Sequence, residues 1–270
     1  MGLDRPHFAL HARIKGCLGR APRRRVCILG PPTGHFRKGP TSLRLLVASL
    51  LCLTLGLASP ALAQGRADFD DMARAWAHVN YEIKDPHAEA SAARDLADQA
   101  ESMARKNPGR AEPLAWQALA LLCEADARHN FSSLQLAHQA RTLLERAAAI
   151  DPNALGPGVI YANLGSLYAD VPGFPVSFGD ARRARAYLDK ALTASPSGLD
   201  SNYFHGDFLY RQGRQSEAID ALQKAIQAPS RPGRALADRG RKWEAGQLIG
   251  KIRRKEKITD AAAEPRGKPS

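Results

Sequence analysis

Between Gln64 and Pro229 the apolar positions recur at helical spacing, and the same spacing returns several times. In "ARAYLDKALTASP" the face is Ala184, Leu188, Ala191, closed by Pro196. In "AIDALQKAIQAPS" it is Ala218, Leu222, Ala225, with Pro229 one place further on. Upstream, "ARTLLERAAAIDP" carries Ala140, Leu144, Ala147 and Pro152, and "LADQAESMARKNP" carries Leu96, Ala100, Met103 and Pro108. Residues at i, i+4 and i+7 share one face of a helix. Small side chains there admit a neighbouring helix at close range, and the proline stops the helix because it has no N–H to donate. The segment is rich in Ala, Leu, Arg, Glu and Gln, which favours helix, and no period-two strand pattern interrupts it.

A second helix precedes each of these. "WAHVNYEI" gives Trp76, Val79, Asn80 and Ile83; "WQALALLC" gives Trp116, Leu119, Ala120 and Cys123. "YANLGSLY" gives Tyr161, Leu164, Gly165 and Tyr168; "NYFHGDFL" gives Asn202, His205, Gly206 and Leu209. An aromatic-x2-Leu-Gly/Ala-x2-Tyr helix followed by Ala-x3-Leu-x2-Ala-x4-Pro resembles the tetratricopeptide repeat. The likeness covers roughly residues 70–230 and weakens in the first unit; Asn202 and His205 depart from the usual large apolar residues. It implies an all-α, right-handed superhelical solenoid of four antiparallel helix pairs over residues 64–230, with Trp116, Leu119, Ala140, Leu164, Gly165, Ala184, Ala191, Gly206, Ala218 and Ala225 as its packing residues. Residues 231–255, with Ala235, Trp243, Leu248 and Ile252 in a stripe, are expected to form a helix that covers the end of the stack. The polar stretch 256–270 is expected to be a disordered tail.

The spacing also locates insertions. Leu209 and Ala218 are separated as a compact repeat requires, whereas Tyr168 to Ala184 and Cys123 to Ala140 are too long. "VPGFPVSFGD", Val171 to Asp180, therefore reads as an enlarged turn within one unit, with a similar enlargement in the unit before. Asp180 is placed to cap the following helix. Phe174 and Phe178 are expected to pin the loop onto the repeats, as large apolar side chains prefer burial. The stretch also resembles a motif of exported repeat proteins related to the T component of TRAP-type transporters, over about residues 150–250. That likeness implies a transporter subunit as partner.

Charge and targeting alter the picture at the two ends. The formal net charge is +12, but the basic excess lies before residue 64 and after residue 230, and the body between is mildly acidic. A folded nucleic-acid module needs a basic face, which this distribution does not supply. At the front, arginines precede the apolar run Leu45–Ala58 and then "SPALAQ". A basic region, a short apolar core and an A-x-A site predict a secretory signal over residues 1–63, cut between Ala63 and Gln64, and a periplasmic protein. The same signal, left uncut, is the alternative route to a membrane. Residues before Val26 are unpatterned and fit a start site placed too early. Cys17, Cys27 and Cys52 precede the cut, which leaves Cys123 in an apolar helical setting as a buried thiol.

Motifs for chemistry are missing. There is no G-x-x-x-x-G-K-[ST], no H-E-x-x-H, no C-x-x-C and no G-x-S-x-G, so the expectation is no enzyme, no cofactor and no metal. The polar stripes of the first helices are the candidate groove instead. Tyr203, Asp207 and Tyr210 lie along one stripe with Asn202 beside it; Asn163, Ser166 and Asp170 hold it in the unit before, and Gln117 and Glu124 in the unit before that. Tetratricopeptide proteins line their concave face with these helices, which implies a scaffold holding a peptide or protein segment there. The alternative is a transporter accessory subunit that handles a small polar ligand or docks a substrate-binding protein.

Overall fold

The computed structural model describes residues 60–128 and 131–263. Among them nine α-helices follow in order: α1 (Pro60–Tyr81), α2 (Pro86–Lys106), α3 (Ala111–Arg128), α4 (Phe131–Ile150), α5 (Val159–Asp170), α6 (Ala181–Ala194), α7 (Leu199–Arg211), α8 (Gln215–Gln227) and α9 (Ala235–Ala263). None of the described helices is long and apolar enough to cross a membrane. The boundaries follow local chemistry. The Asp85 carboxylate accepts from the Ala88 N–H at 2.8 Å and Pro86 opens α2. Asp180 accepts from the N–H groups of Arg182 and Arg183 at 2.8 and 3.1 Å and opens α6. Each cap satisfies donors that the first helical turn leaves free.

The described residues form an all-α helical repeat solenoid. α3 packs on α4, α5 on α6 and α7 on α8, and successive units join through α4 on α5 and through α5 and α6 on α7. The seams are the small-residue faces: Ala140, Leu144 and Ala147, then Ala184, Leu188 and Ala191, then Ala218, Leu222 and Ala225 are all fully buried. Two glycines make the approach possible. A Cβ on Gly165 would lie 2.6 Å from Leu188 Cγ, and one on Gly206 would lie 2.8 Å from Leu222 Cγ. Close backbone approach compensates the roughly 1 kcal/mol that glycine costs inside a helix.

The first pair departs from this pattern. α2 packs chiefly on α3, and α1 meets α2 through side chains, Met72 and Ala73 in the cluster of Leu96, Ala97 and Ala100 and Val79 in that of Ala93. Asn80 stands where Gly165 and Gly206 stand in the later units, and its Oδ1 accepts from Cys123 Sγ of α3 at 3.7 Å. α1 is held at side-chain range instead: Trp76 Nε1 donates to the Leu119 carbonyl at 3.3 Å, and its ring lies 6.2 Å from that of Trp116. Three pairs are close, α3 with α4, α5 with α6 and α7 with α8, and α1 and α2 precede them.

Two further expectations change. The residues added between Cys123 and Ala140 make no enlarged loop: α3 runs to Arg128 and α4 starts at Phe131, so they extend both helices. At the far end α9 continues to Ala263, through residues expected to be a disordered tail. Its last part, "KEKITDAAA", is mostly good helix former, which lets the helix propagate. The proposed signal up to Ser59 lies outside the described residues, and the expected cut after Ala63 falls inside α1.

Candidate functional site

Two places concentrate polar and aromatic chemistry: the concave face and the edge that carries Val171–Asp180.

The concave face expected of the repeat corresponds to α1, α3, α5 and α7, which border one cavity together, and the start of α9 closes on it. Arg234 holds its guanidinium 5.2 Å from the Trp116 ring centre. Arg241, almost fully buried, lies 4.7 Å from the ring centres of both Tyr203 and Phe204. Its Nε is 3.4 Å from Asp200 and its Nη1 donates to Glu244 at 2.7 Å. Arg231 donates to Asp200 at 2.6 Å and to Asp238 at 2.6 and 2.9 Å. Gly240 touches Tyr81 so closely that a Cβ would lie 2.4 Å from its ring. The space that remains includes a cavity of about 30 Å³ among Trp76, Leu119, Asn163, Phe204 and Arg241. Another of about 20 Å³ touches α1, α3, α5, α7 and α9 together. Such volumes hold one or two waters. Burial pushes the Asp200 carboxyl up, but Arg231 and Arg241 outweigh it and hold it below the ordinary value.

The expected groove residues therefore do not form an open polar wall. Asn163 lines the inner cavity and donates to the Val159 carbonyl at 2.8 Å. Ser166 is buried and donates to Asp170 at 3.0 Å. Asp170 pairs with Arg211 at 2.6 Å, and Arg211 pairs with Asp207 at 2.8 Å. Burial drives the Asp170 carboxyl up; Arg211 opposes this, Asp207 adds to it, and the result is about 7. Asn202 faces the preceding turn and donates to the carbonyls of Pro196 and Gly198 at 2.9 and 2.8 Å. Its place in the repeat is that of the large packing residue, and it is buried there against that turn. Tyr203 is buried beneath Arg241, and burial raises its hydroxyl well above the ordinary value. Tyr210 is half-buried, with Lys251 Nζ 5.3 Å from its ring centre. Glu124, fully buried, binds Arg94 and Arg128 rather than facing a ligand. Phe204, Asp200, Arg231, Arg234 and Arg241 carry the concave chemistry instead. The visible signal for the arginines was their spacing in "RPGRALADRGR".

At the edge, the loop is built tightly. Val176 and Ser177 both donate their N–H to the Gly173 carbonyl, Gly179 donates to Pro172 and Asp180 to Tyr168. A Cβ on Gly179 would lie 1.8 Å from the Val171 carbonyl oxygen, so the strand-like return admits only glycine. Phe178 is the anchor: its ring centre is 4.6 Å from that of His138 and 5.5 Å from that of Tyr168, and Arg141 covers it at 4.4 Å. Ser177 Oγ meets His138 Nε2 at 3.1 Å. The lengthened α4 thus supplies the shelf on which the loop sits. Tyr168 donates to Glu145 at 2.7 Å and accepts from Arg183 at 3.2 Å. Phe174 does not pin the loop. It is 93% exposed, with Val176 beside it at 66%; the carbonyl network holds the loop tip away from the repeats. Behind the loop, Tyr168, Asp180, Phe208, Arg211 and Gln212 border a cavity of about 210 Å³.

Comparison with known proteins bears on the helical core of both places. Residues 199–230 match the tetratricopeptide repeat. That segment holds α7, α8 and the turn after them, so Asp200, Phe204 and Gly206 sit within a matched tetratricopeptide unit. Among solved structures, the chain is similar to a thermophilic tetratricopeptide repeat protein of Thermus thermophilus, with 18% identity and a TM-score of 0.44 over 70% of this chain and 95% of that one. No curated protein sequence matches the chain.

Proposed function

We propose that the protein is an exported interaction scaffold that engages a protein partner at the edge built by Val171–Asp180. A tetratricopeptide unit supports the scaffold role in general. The observation that carries the edge is Phe174, a large apolar side chain in water on a loop tied down at both ends. Rigid loops on a solenoid carry recognition at low ordering cost. The exposed Arg182, Arg183 and Arg185 flank it, so an apolar pocket with an acidic rim suits it. The test is chemical crosslinking of the native extract, with partners read by mass spectrometry. Wild type is expected to yield a crosslinked partner that the F174A/V176A variant loses while its thermal midpoint stays unchanged. Equal crosslinking by both proteins overturns the edge.

A second reading draws on the 210 Å³ cavity beside the loop, bordered by Arg211, Asp180 and Gln212. An accessory subunit of a TRAP-type transporter handling a small polar ligand would use this space. Export rests on the basic, apolar and A-x-A sequence before Gln64. Mass spectrometry of the periplasmic fraction is expected to find a mature start at or near Gln64; full-length chain held only in membranes argues against it.

A further inference from the structure

Trp243 stands half in water on the outer face of α9, 51% exposed. An indole gains more from burial than almost any other side chain, so its place on a solvated face calls for a partner. Arg239, Trp243, Gly246, Gly250 and Arg254 follow at i, i+4, i+7, i+11 and i+15, and so form one stripe about 22 Å long. The glycines lower the helix surface around the indole. Gly165, Gly206 and Gly240 each have a side chain pressed against them, whereas nothing among the described residues lies within 4 Å of a Cβ on Gly246. At Gly250 the nearest atom to such a Cβ is Arg254 Nη1, at 3.2 Å, which lays that guanidinium along the stripe.

Charge on α9 is sorted by side. The acids turn to the body: Asp238 pairs with Arg231 at 2.6 Å and Glu244 with Arg241 at 2.7 Å. Glu256, half-buried, keeps the register of the buried Ile249 and Ile252. The bases turn outward: Arg239, Arg253 and Arg254 are exposed. Lys251, also exposed, rests its Nζ 5.3 Å from the Tyr210 ring centre at the side of the stripe. The basic excess after residue 230 is thus gathered into a straight convex row with an indole in it. Such a row offers a partner a line of contact rather than a pocket. Diffuse negative charge spread over a plane complements it, and tryptophan is enriched where lipid headgroups meet acyl chains.

We propose that the outer face of α9 docks the protein on an anionic phospholipid surface, with Trp243 at the headgroup boundary and Arg239, Arg253 and Arg254 on the lipid phosphates. The attachment is peripheral: none of the described helices is long and apolar enough to cross a membrane. It is also reversible, since each basic residue at such a surface strengthens binding only about fivefold. This face uses neither Phe174 nor Val176, so it and the Val171–Asp180 edge stand or fall separately.

The probe is a vesicle of phosphatidylcholine, alone or mixed equally with phosphatidylglycerol, with brominated acyl chains that quench tryptophan on contact. It is titrated into the full-length chain. Residues 1–63 hold no tryptophan, so attachment through them does not by itself quench. Wild type is expected to lose fluorescence on the mixed vesicles and keep it on phosphatidylcholine, and added salt is expected to reverse the loss. W243F, folded by dichroism, is expected to show no loss. In R239Q/R253Q/R254Q the lipid concentration for half the loss is expected to rise about a hundredfold. Equal loss on both vesicles, an undiminished loss in W243F, or a charge variant that matches wild type overturns the proposal. So does wild type that keeps its fluorescence on the mixed vesicles; a shift of Trp243 emission by poly-glutamate would then assign the face to an acidic protein. The comparison of the two vesicles uses wild type alone, so it decides even where a variant fails to fold.

Discussion

Asp170 shows how one residue couples burial to solution conditions. It is buried beside Arg211 and Asp207, and burial lifts its carboxyl to about 7 from the ordinary 3.8. A folded-state value above the unfolded one means that the folded chain binds this proton more tightly. The contribution of Asp170 to stability is therefore greatest at acid pH, declines as pH rises from about 4 to about 7, and is flat above. Denaturant titrations at pH 5, 6, 7 and 8 are expected to show wild type losing on the order of 1 kcal/mol per pH unit through this window relative to D170N. A D170N profile parallel to wild type would assign the pH response to other groups. In the sequence Asp170 reads as the end of a polar stripe. Its real setting was not legible there, because Arg211 reaches it from the next unit.

At the scale of elements, the seam between paired helices is set by glycine. Gly165 and Gly206 abut Leu188 and Leu222, with carbonyls of Ala184 and Ala218 at 3.1 Å from where a Cβ would stand. Leucine at either place cannot fit without moving a helix. G165L and G206L are each expected to lower stability by about 1–3 kcal/mol, read as a fall in denaturant midpoint at unchanged slope. Unchanged midpoints for both would show that the seams lie elsewhere. These seams were legible because each is a local pattern repeated along the chain, and so was the all-α solenoid built on them. The looser first unit was visible in the sequence as a weaker pattern, with Asn80 in the small-residue position. The extra residues before Ala140 were visible as length, but length does not say whether residues form loop or helix. At the loop, two phenylalanines four residues apart have opposite fates because only Phe178 meets the shelf made by His138 and Arg141.

Across the whole molecule, the inner helices do not form an open trough. The start of α9 meets α1 at Tyr81 and α3 at Trp116, and the concave face is reduced to small cavities. No spacing rule relates α9 to α1, since their contact joins elements far apart in the chain through Arg234, Gly240 and Arg241. That is why the concave chemistry escaped the sequence while the repeat did not.

The contact between Gly240 and Tyr81 has a consequence for how the molecule comes apart. A linear stack of repeats frays, because its outermost unit has one neighbour and melts first. Here the first and last described helices brace each other, so peeling either one exposes the other. Unfolding is then all-or-none, as in a small two-state domain. The chain has three tryptophans, and Trp76 and Trp116 report on the brace while far-ultraviolet dichroism reports on every helix. In wild type the two signals are expected to change together in urea. In G240L, where a side chain must push Tyr81 aside, fluorescence is expected to change at lower urea than dichroism. Coincident curves in G240L, or separated ones in wild type, would mean that the array melts like an open stack.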